Sequence, residues 1–505
     1  DLHSFPTRRS SDLSFEAKGK VMIFSDKDVK QIKNHGLTLD SVNQQVEIFN
    51  AGITPLNIVK PATTGDGVMQ CNDSDCQKYI ALYEEYVKLH RVVKFVPASG
   101  AATRMFKDLF DFISTNVPNT VSKMTVNNIE KFAFWDDLKP FLPQNASDMN
   151  IAQCLVTDSG LNYGNYPKGL IKFHKYPDYV RTPVEEHLSE GAEYVASADK
   201  TVCVHFTVSP EHRDGFQNLI NNVLGQYESK YGVKYDVSVS EQKSSTDTIA
   251  MNLNKMPFRN PDGTLLFRPA GHGALIENLN DIDADLIFIK NIDNVAVESM
   301  RADTVKYKKV LGGVLLDIQQ QMFKLIDYIN TMESHTDIEK VHNFITSKLG
   351  IKLDDKLSMV EYINILNRPL RVCGVVRNTG EPGGGPFWVR DNSGITSLQI
   401  VESSQLTSET EHFLKESEYF NPVDIVCSVK NFRGTKFDLT EYIDENTGLI
   451  TEKSKNGASL LALERPGLWN GAMAKWNTVL VAVPADTFTP VKVVTDLLLP
   501  AHQTK

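Results

Sequence analysis

Cysteine is scarce in this sequence, with six residues among 505. So few thiols in so long a chain do not indicate a disulfide scaffold of the kind that small secreted domains need. Cys71 and Cys76 form a CxxxxC motif without a second pair, so we do not expect a zinc site there. We interpret the other cysteines as small core residues and expect a reduced, cytoplasmic protein.

An excess of positive charge and long apolar runs are also missing. The chain carries 53 basic and 63 acidic side chains, a formal net charge of −10, which argues against a nucleic-acid or membrane-surface binder. No apolar run approaches the ~18–20 residues needed to span a bilayer. The phosphate-loop signature GxxxxGK(S/T) and internal repeats are absent too. Small anionic ligands remain compatible with this charge, because they need only a local positive pocket.

The first residues require separate treatment. His3 to Leu13, HSFPTRRSSDL, match the reading-frame translation of a common sequencing adapter. The two arginines in this stretch imitate the start of a targeting signal, but no apolar segment follows them. We interpret residues 1–13 as an assembly artefact and expect the native start of the protein to be missing.

The rest of the chain divides into three predicted parts. We predict a helical N-terminal segment over 14–90, an α/β domain over 91–369, and a smaller mixed α/β part over 370–505 that completes the site. Runs rich in Val, Ile and Phe alternate with helical patterns, which is typical of a largely parallel sheet flanked by helices. The predicted strands are 92–96, 168–173, 201–208, 235–240, 285–291 and 370–376; the predicted helices are 183–195, 210–229, 273–281 and 489–503; helical insertions occupy about 106–160 and 300–367.

A loop of small residues follows the first of these strands. The sequence RVVKFVPASGAATRM places Ala98 to Thr103 directly after an apolar run and ends the loop with Arg104. Ligands of open α/β sheets bind beyond the carboxyl ends of the strands. Small residues let backbone N–H groups approach an anion closely, and a guanidinium suits phosphate oxygens. The alternative is an ordinary tight turn whose arginine points to solvent.

Single polar residues stand at other strand and helix ends. Lys168 lies at the start of a predicted strand, where it is either a site residue or an ordinary surface lysine. Gln242 follows a strand, and its amide could pair with a nucleobase, although a generic strand-end glutamine is as compatible. His272 stands between two glycines at a helix entrance.

Two charged residues have positions that favour a bound phosphate. Asp293 follows the strand 285–291, where a carboxylate facing a phosphate loop would hold Mg²⁺. Lys492 lies in the first turn of the predicted helix 489–503. A cation at a helix N-terminus is electrostatically misplaced unless an anion is bound nearby.

Taken in chain order, these segments resemble the sugar-1-phosphate nucleotidyltransferases, and among them the UDP-sugar pyrophosphorylase group. The resemblance covers roughly residues 91–300 and fragments of 370–500. As a whole, the chain resembles an uncharacterised bacterial family, the domain-of-unknown-function family 4301. The matching residues are Gly100, Thr103, Arg104 and Met105 in the loop, Pro167, Lys168, Pro183 and His187 after it, Gln242, then Pro269, Gly271 and Gly273, then Asn291, Asp293 and Asn294, and the segments 398–406 and 488–499.

The resemblance implies a GT-A, Rossmann-like fold and a transfer reaction. An NTP, with UTP favoured, and a sugar 1-phosphate would give a nucleotide sugar and pyrophosphate with Mg²⁺ as cofactor; no nucleic acid or membrane is implied. The implied catalytic residues are Arg104, Lys168 and Lys492; the nucleotide-binding residues are Ala98, Ser99, Gly100, Ala101, Thr103, Gln242, Gly271, His272 and Gly273; the sugar-binding residues are Asn294, Glu402, Asn470 and Asn477; and the metal ligand is Asp293.

The sequence departs from that group's pattern in two respects. The loop reads GAATRM instead of GGxGTRM, so fewer glycines can approach the phosphates. Asn470 and Asn477 stand where a second metal carboxylate is expected. Two alternatives therefore stay open: a GT-A glycosyltransferase that consumes a nucleotide sugar, and a binding protein on the same scaffold without catalysis.

Overall fold

The computed structural model describes residues 24–331, 338–353, 356–380 and 383–504, so the predicted artefact at 1–13 lies outside the described residues. The strands are β1 Asn57–Pro61, β2 Thr63–Thr64, β3 Gly67–Met69, β4 Val92–Pro97, β5 His174–Lys175, β6 Val180–Arg181, β7 Thr201–Val208, β8 Lys234–Glu241, β9 Thr248–Ile249, β10 Phe267–Arg268, β11 Leu286–Lys290, β12 Leu370–Arg377, β13 Gly384–Arg390, β14 Thr396–Glu402, β15 Tyr419–Ser428, β16 Leu449–Lys455, β17 Ala458–Glu464 and β18 Asn477–Ala482. The helices are α1 Asp26–Asn34, α2 Leu39–Ala51, α3 Asp73–Val87, α4 Lys107–Thr115, α5 Thr120–Asn127, α6 Trp135–Leu138, α7 Asp148–Val156, α8 Pro183–Tyr194, α9 Arg213–Tyr231, α10 Leu275–Asp281, α11 Ala302–Thr331, α12 Ile338–Lys348, α13 Met359–Leu366 and α14 His412–Glu416.

A large central sheet organises the fold. Its strand order is β2-β3-β18-β12-β15-β11-β4-β7-β8. Strand β15 is antiparallel to its neighbours β12 and β11, and the other neighbouring strands are parallel. The predicted α/β fold with a mostly parallel sheet flanked by helices is therefore confirmed. All three predicted parts of the chain contribute strands to this one sheet.

Alternation along the buried strands assigns side chains to the two faces of the sheet. Val92 and Val96 of β4 pack in a core with helices α3, α8 and α11. Val93 and Phe95 of the same strand pack in a second core with α10. Successive side chains of a strand point to opposite faces, so a strand covered on both sides must be apolar at nearly every position. The predicted helical insertions correspond to α4–α7 and α11–α13.

The predicted strand over 168–173 is wrong. Residues Lys168–Leu170 form a 3-10 turn, in which the N–H of Ile171 donates to the carbonyl of Lys168 at 3.2 Å. The N–H of Lys168 donates to the carbonyl of Gly100. Strand β7 occupies the place beside β4 in the sheet. The apolar segment 168–173 therefore begins beside the loop that follows β4 and does not form a strand of the central sheet.

The predicted helix over 489–503 is also wrong. Pro490 pairs with Asn294 in an isolated β-bridge, and the only helical structure described in this range consists of the short 3-10 turns Val494–Leu498 and Pro500–His502. The backbone N–H groups of Lys492 and Val493 donate to Asp496, which ends the extended stretch. A proline at 500 cannot continue a helical hydrogen-bond ladder. The argument that Lys492 is misplaced at a helix N-terminus therefore no longer applies.

The predicted helical character of 14–90 is correct for α1–α3 but misses the strands over 57–69. Strand β1 pairs with β13, and β3 pairs with β18. Gly67 permits the turn before β3, because its φ is +102° and a Cβ there would lie 2.7 Å from Leu398 Cδ2. Among the described residues, no helix combines the length and apolarity needed to cross a membrane.

Candidate functional site

Two neighbouring strands bring the main predicted segments to one edge of the sheet. Strands β4 and β11 are parallel neighbours, so their carboxyl ends, Pro97 and Lys290, lie at the same edge. The N–H of Ile292 donates to the carbonyl of Pro97 at 3.1 Å. The 98–104 loop and the segment 291–294 therefore leave the sheet side by side, where ligands of open α/β sheets bind.

The 98–104 loop presents unused backbone donors. Its ends are fixed, because Ala98 N–H donates to Thr207 and Ala102 N–H donates to Tyr166. Within the described part of the chain, the N–H groups of residues 99, 100, 101 and 103 have no hydrogen-bond acceptor. A Cβ built on Gly100 would meet nothing within 4 Å. The loop therefore offers several N–H groups to open space, an arrangement that suits an anion.

Lys168 and Lys492 meet at Asp293. The Nζ atoms of Lys168 and Lys492 lie 2.8 and 3.0 Å from Oδ2 of Asp293. Burial raises the pKa of Asp293, but the two ammonium groups outweigh it and hold this pKa below its usual value. Two cations share one carboxylate, so the cluster keeps a net positive charge. Lys168 is buried, whereas the side chain of Lys492 is 58% exposed.

Backbone pairing explains how distant segments supply the two lysines. Pro167 pairs with Ala101, so Lys168 follows directly beside the 98–104 loop. On the other side, Val491 N–H donates to the carbonyl of Asp293 at 3.0 Å, which brings Lys492 to the same place. Extended backbone at 489–491, and not the predicted helix, therefore brings Lys492 to the site.

Asn294 fastens this C-terminal segment. Its Oδ1 accepts the N–H of Thr489 at 2.9 Å, and its Nδ2 is buried without a partner in the described structure. The side chain is 1% exposed. The structure therefore gives Asn294 a positioning role beside Asp293, and its predicted contact with a sugar stays a prediction.

Arg104 ends the loop as an exposed cation. Within the described residues it makes neither an ion pair nor a side-chain hydrogen bond. The neighbouring Met105 and Ala102 are buried and anchor the backbone at this point. A guanidinium on a fixed backbone with no protein partner is available to an anionic ligand.

The predicted metal ligand Asp293 is paired with two lysines in this structure. Asp293 is the carboxylate of the cluster, and its Oδ2 already accepts hydrogen bonds from two ammonium groups. No group of three or more His, Cys, Asp or Glu side chains suited to a metal occurs in the part of the chain that is described. Magnesium is usually bound by one or two carboxylates together with substrate phosphates, so the predicted role of Asp293 as a metal ligand stays a prediction.

A second group of predicted residues surrounds the turn 271–273. Gly271 has a φ of +76°, and a Cβ on Gly273 would lie 2.1 Å from the carbonyl oxygen of Pro466. Arg465 contacts the segments on both sides of this turn. Its backbone N–H donates to the carbonyl of Ala270, and its guanidinium forms an ion pair with Glu277 of α10. Glycine is therefore favoured at 271 by the left-handed backbone and at 273 by close backbone packing.

Gln242 follows β8, as predicted, and lies beside α10. The amide Nδ2 of Asn278 donates to the carbonyl of Glu241 at 2.8 Å and so fastens the strand end to the helix. Gln242 is half-buried, and its amide has no hydrogen-bond partner among the described residues. The amide is free to bind a ligand, and its predicted contact with a base stays a prediction.

His272 joins the turn to Glu402. Its ring stacks on Trp469 with a centroid distance of 4.1 Å, and Nδ1 accepts the N–H of Leu468. The hydrogen therefore lies on Nε2, which is 3.3 Å from Oε1 of Glu402. This hydrogen bond lowers the pKa of Glu402 against the effect of burial, and a side-chain hydrogen bond from Trp469 acts in the same direction. Sequence reasoning missed Trp469, because nothing local indicates that it packs on a histidine 197 positions earlier.

The predicted sugar-binding residues Asn470 and Asn477 have different positions. Asn470 Nδ2 donates to the carbonyl of Ile400 at 3.1 Å. Asn477 begins β18, which runs in the direction of β4, so this residue lies at the amino edge of the sheet, away from the 98–104 loop. Its Nδ2 donates to Ile365, and its side chain is buried. The structure does not bring Asn477 to the predicted site.

A buried carboxylate links the two strands that carry the site. Glu190 of α8 forms ion pairs with Lys94 of β4 at 3.0 Å and with Lys290 of β11 at 2.8 Å. These lysines stand three residues before Pro97 and Asp293. One turn earlier on α8, His187 is kept neutral by burial, which holds its pKa far below the usual value, and Nε2 bonds to the carbonyl of Ile292. The lysines inside the apolar runs VVKFVP and LIFIK were a visible signal of such a buried partner.

Comparison with solved structures finds low overall likeness. The UDP-N-acetylglucosamine pyrophosphorylase of Trypanosoma brucei, solved with an inhibitor, has 12% identity over 94% of this chain and 79% of that chain, with a TM-score of 0.49. A UDP-glucose phosphorylase of the same organism has 14% identity over 93% and 77%, with a TM-score of 0.43. The inositol-1-phosphate CTP transferase of T. maritima has 10% identity over 80% and 91%, with a TM-score of 0.31. No curated protein matches the chain. At these TM-scores the likeness carries no functional argument.

Comparison with family models gives a definite result. The model described as a domain of unknown function, DUF4301, matches residues 25–503. The match spans nearly all the described residues and both groups of predicted site residues, so the family predicted from the sequence is confirmed. The chain belongs to the DUF4301 family.

Proposed function

We propose that this chain is a nucleotidyltransferase that joins an NTP to a sugar 1-phosphate and releases pyrophosphate. The observation that carries the proposal is the cluster of cations at one edge of the sheet. Lys168 and Lys492 share Asp293, and the exposed Arg104 ends a loop with unused N–H groups beside them. This arrangement suits a polyphosphate better than a neutral ligand.

The proposed reaction requires positioning and charge stabilisation instead of a side-chain nucleophile. A phosphate oxygen of the sugar 1-phosphate attacks the α-phosphorus of the NTP, and a new P–O bond forms. The bond between this phosphorus and the oxygen bridging to the β-phosphate breaks, and pyrophosphate leaves with the electron pair. Lys168 and Lys492 would stabilise the charge that develops around the α-phosphate, while the 98–104 loop and Arg104 would hold the outer phosphates.

Asp293 has a definite role in this proposal. It holds two ammonium groups within 3.0 Å of one oxygen and so fixes where the positive charge lies before a nucleotide binds. No group of three or more His, Cys, Asp or Glu side chains suited to a metal occurs among the described residues, so the proposed steps rest on the lysines. Mg²⁺ that arrives with the nucleotide is a separate expectation.

The 271–273 region would contact the nucleoside and sugar parts. Gln242 and the turn at His272 would recognise the base, with UTP favoured because of the motif resemblance. Glu402 would accept hydrogen bonds from sugar hydroxyls, since its carboxylate is kept ionised by the hydrogen bond from His272. For Asn470, a sugar contact remains a prediction from the sequence.

A second candidate function is binding of a nucleotide sugar without catalysis. It is favoured by one observation: the carboxylate at position 293 is paired with lysines, and the part of the chain that the structure describes holds no group of three or more side chains suited to a metal. Such a protein would bind nucleotide sugar at the same edge of the sheet and release no pyrophosphate.

Pyrophosphate release tests the proposal. The purified chain is mixed with each of the four NTPs and a panel of sugar 1-phosphates, with MgCl₂ present to match the natural state of the nucleotides. We expect one combination to release pyrophosphate. Lys168→Ala and Lys492→Ala should each lower turnover at least a hundredfold, because one cation on a developing charge contributes on the order of 3 kcal/mol.

Lys172→Ala is the matched control. Lys172 lies four residues from Lys168 and is 34% exposed in an ion pair with Asp137. Its removal should leave turnover within about twofold of the parent. Normal turnover in both site variants would contradict the assignment. Ligand-induced thermal stabilisation by a nucleotide sugar without pyrophosphate from any combination would instead favour the binding protein.

A further inference from the structure

The backbone on both sides of Lys492 is fixed to the rest of the protein. Before it, the N–H of Val491 donates to the carbonyl of Asp293 at 3.0 Å. After it, the N–H of Val494 donates to the carbonyl of Met105 at 3.1 Å. Val491 and Val494 are fully buried. These contacts hold the two flanks of the segment and leave residues 492 and 493 as the short stretch between them.

One carboxylate holds the backbone of this short stretch. Oδ2 of Asp496 accepts the N–H of Lys492 at 2.7 Å and the N–H of Val493 at 2.9 Å. Asp496 lies in the 3-10 turn Val494–Leu498, so its side chain reaches back to the residues that precede the turn. An acidic side chain in a first turn commonly reaches back in this way, because the N–H groups there have no acceptor within the turn.

Lys492 depends on a fixed backbone because its own side chain is long and exposed. The side chain is 58% exposed, and among the described residues its ammonium pairs only with Asp293. An exposed ion pair is held weakly, since fixing a lysine side chain in one geometry costs conformational entropy. The backbone at position 492 therefore determines how readily the ammonium reaches Asp293.

Lys168 links the same segment to the proposed site a second time. Its Nζ donates to the carbonyl of Val491 at 2.7 Å as well as to Asp293. Val491 directly precedes Lys492 in the chain. A displacement of this backbone would therefore disturb the surroundings of both proposed catalytic lysines.

Asp496 acts on the backbone and not on the charge of the site. Within the part of the chain that the structure describes, its carboxylate forms no ion pair, and its hydrogen bonds are the two from the backbone N–H groups of residues 492 and 493. An uncharged acceptor of the same shape could make these two bonds equally.

We propose that Asp496 is a positioning residue for Lys492: it holds the N–H groups of residues 492 and 493 and so directs the Lys492 side chain to Asp293. The inference rests on the proposed nucleotidyl transfer, in which Lys492 stabilises charge at the α-phosphate. Without the carboxylate the two N–H groups would bind water, because Lys492 is exposed and Val493 is half-buried. The fold would be kept, whereas the direction of Lys492 would be lost.

Turnover of three variants tests this role, with the NTP and sugar 1-phosphate that the parent converts. Asp496→Ala should lower kcat at least tenfold and change KM for the nucleotide less than threefold, because a misplaced cation loses its contact with the transition state. Asp496→Asn should retain most of the turnover, since its amide oxygen accepts the same N–H groups. Asp486→Ala is the matched control and should leave turnover unchanged: Asp486 is an exposed carboxylate of the same segment, with no side-chain partner among the described residues.

A double variant shows whether Asp496 acts through Lys492. In a Lys492→Ala background, Asp496→Ala should lower kcat less than twofold further, because the side chain that Asp496 directs is already absent. A carboxylate with a merely structural role would lower kcat by the same factor in both backgrounds. Equal factors would therefore overturn the proposal, as would a folded Asp496→Asn variant that is as impaired as Asp496→Ala. Circular dichroism verifies the fold of each variant.

Amine labelling of Lys492 gives a measurement that needs no substrate. The native full-length chain is acetylated with an N-hydroxysuccinimide ester, and mass spectrometry compares Lys492 with the exposed Lys415. We expect Asp496→Ala to raise the relative labelling rate of Lys492 at least threefold and Asp486→Ala to leave it unchanged. Unchanged labelling in a folded Asp496→Ala variant overturns the proposal. Raised labelling in a chain that releases no pyrophosphate from any substrate pair would support the positioning role and contradict the proposed reaction alone.

Discussion

At the scale of the residue, a few hydrogen bonds and ion pairs hold the charged side chains of the site in place. Asp293 carries two ammonium groups on one oxygen, and His272 uses one ring nitrogen to accept a backbone N–H and the other to meet Glu402. Each contact fixes a charge or a tautomer before any ligand arrives. Such preorganisation is what electrostatic stabilisation of a phosphoryl group requires.

Two glycines of the site should respond differently to replacement by alanine. In Gly273→Ala the new Cβ would meet the carbonyl oxygen of Pro466 at 2.1 Å, so backbone must move, and we expect the free energy of unfolding to fall by about 2 kcal/mol or more. In Gly100→Ala the Cβ enters open space, and we expect a change within about 0.5 kcal/mol. Urea unfolding of both variants measures the difference. Equal stability of the two would contradict the packing described at Pro466.

At the scale of the element, helix α8 determines how the two halves of the proposed phosphate site are aligned. Glu190 holds Lys94 and Lys290, and these belong to the two strands that end in the 98–104 loop and in Asp293. His187 adds a bond to Ile292 on the same side. Helix α8 therefore contacts both of the strands that lead into the site.

Lys94 should make stability depend on pH near neutrality. Burial lowers its pKa to about 7, against the attraction of Glu190; Lys290 and Lys308 contribute in the same direction as burial, and His187 stays neutral. The unfolded chain then binds more protons at this position than the folded chain, so stability rises with pH between about 7 and 10 and declines as the pH falls to 6. Relative to a Lys94→Met variant, the parent should lose about 1 kcal/mol of unfolding free energy between pH 8 and pH 6.

Paired urea titrations at the two pH values provide this measurement. The variant removes the titrating group and keeps the Glu190–Lys290 pair, so other ionisable groups contribute equally to both proteins. A parent and variant whose stabilities change in parallel would show that Lys94 does not titrate in this range.

At the scale of the whole molecule, the central sheet joins the three predicted parts of the chain. Strand β15 from the C-terminal part lies between β11 and β12 and is buried along its full length. Strand β18 connects β12 to β3 of the N-terminal part. The segment carrying Lys492 then returns to Asp293. The predicted boundaries at 90 and 369 therefore separate parts that share one sheet.

A fragment that ends at residue 369 should not fold on its own. Without β15, strand β11 loses its antiparallel neighbour and exposes an apolar, unpaired edge in the centre of the sheet. We expect fragment 14–369 to aggregate or to lack a cooperative urea transition, whereas chain 14–505 unfolds cooperatively. Size-exclusion chromatography and circular dichroism of both proteins make the comparison. A monomeric fragment with a cooperative transition would show that the predicted domain folds independently.

The sequence determined most of the elements and the family. Strands β4, β7, β8 and β11 and helices α8, α9 and α10 were predictable because apolar residues recur at the period of each element, and a local period needs no knowledge of partners. Prediction from the local period was wrong at 168–173 and 489–503. The apolar residues there have a similar pattern, but their backbones pair with the 98–104 loop and with the segment 293–294. Distant hydrogen bonds override local preference there.

For the site, the sequence selected Lys168, Asp293 and Lys492 as separate candidates, and only the tertiary structure decided that they meet at one carboxylate. It also decided that Asn477 lies at the far edge, that Trp469 supports His272, and that Glu190 holds two buried lysines. The physical reason is the same in each case. Residue type and spacing specify what a side chain can do, whereas the pairing of strands distant in sequence determines which side chains share a low-dielectric space and therefore interact strongly.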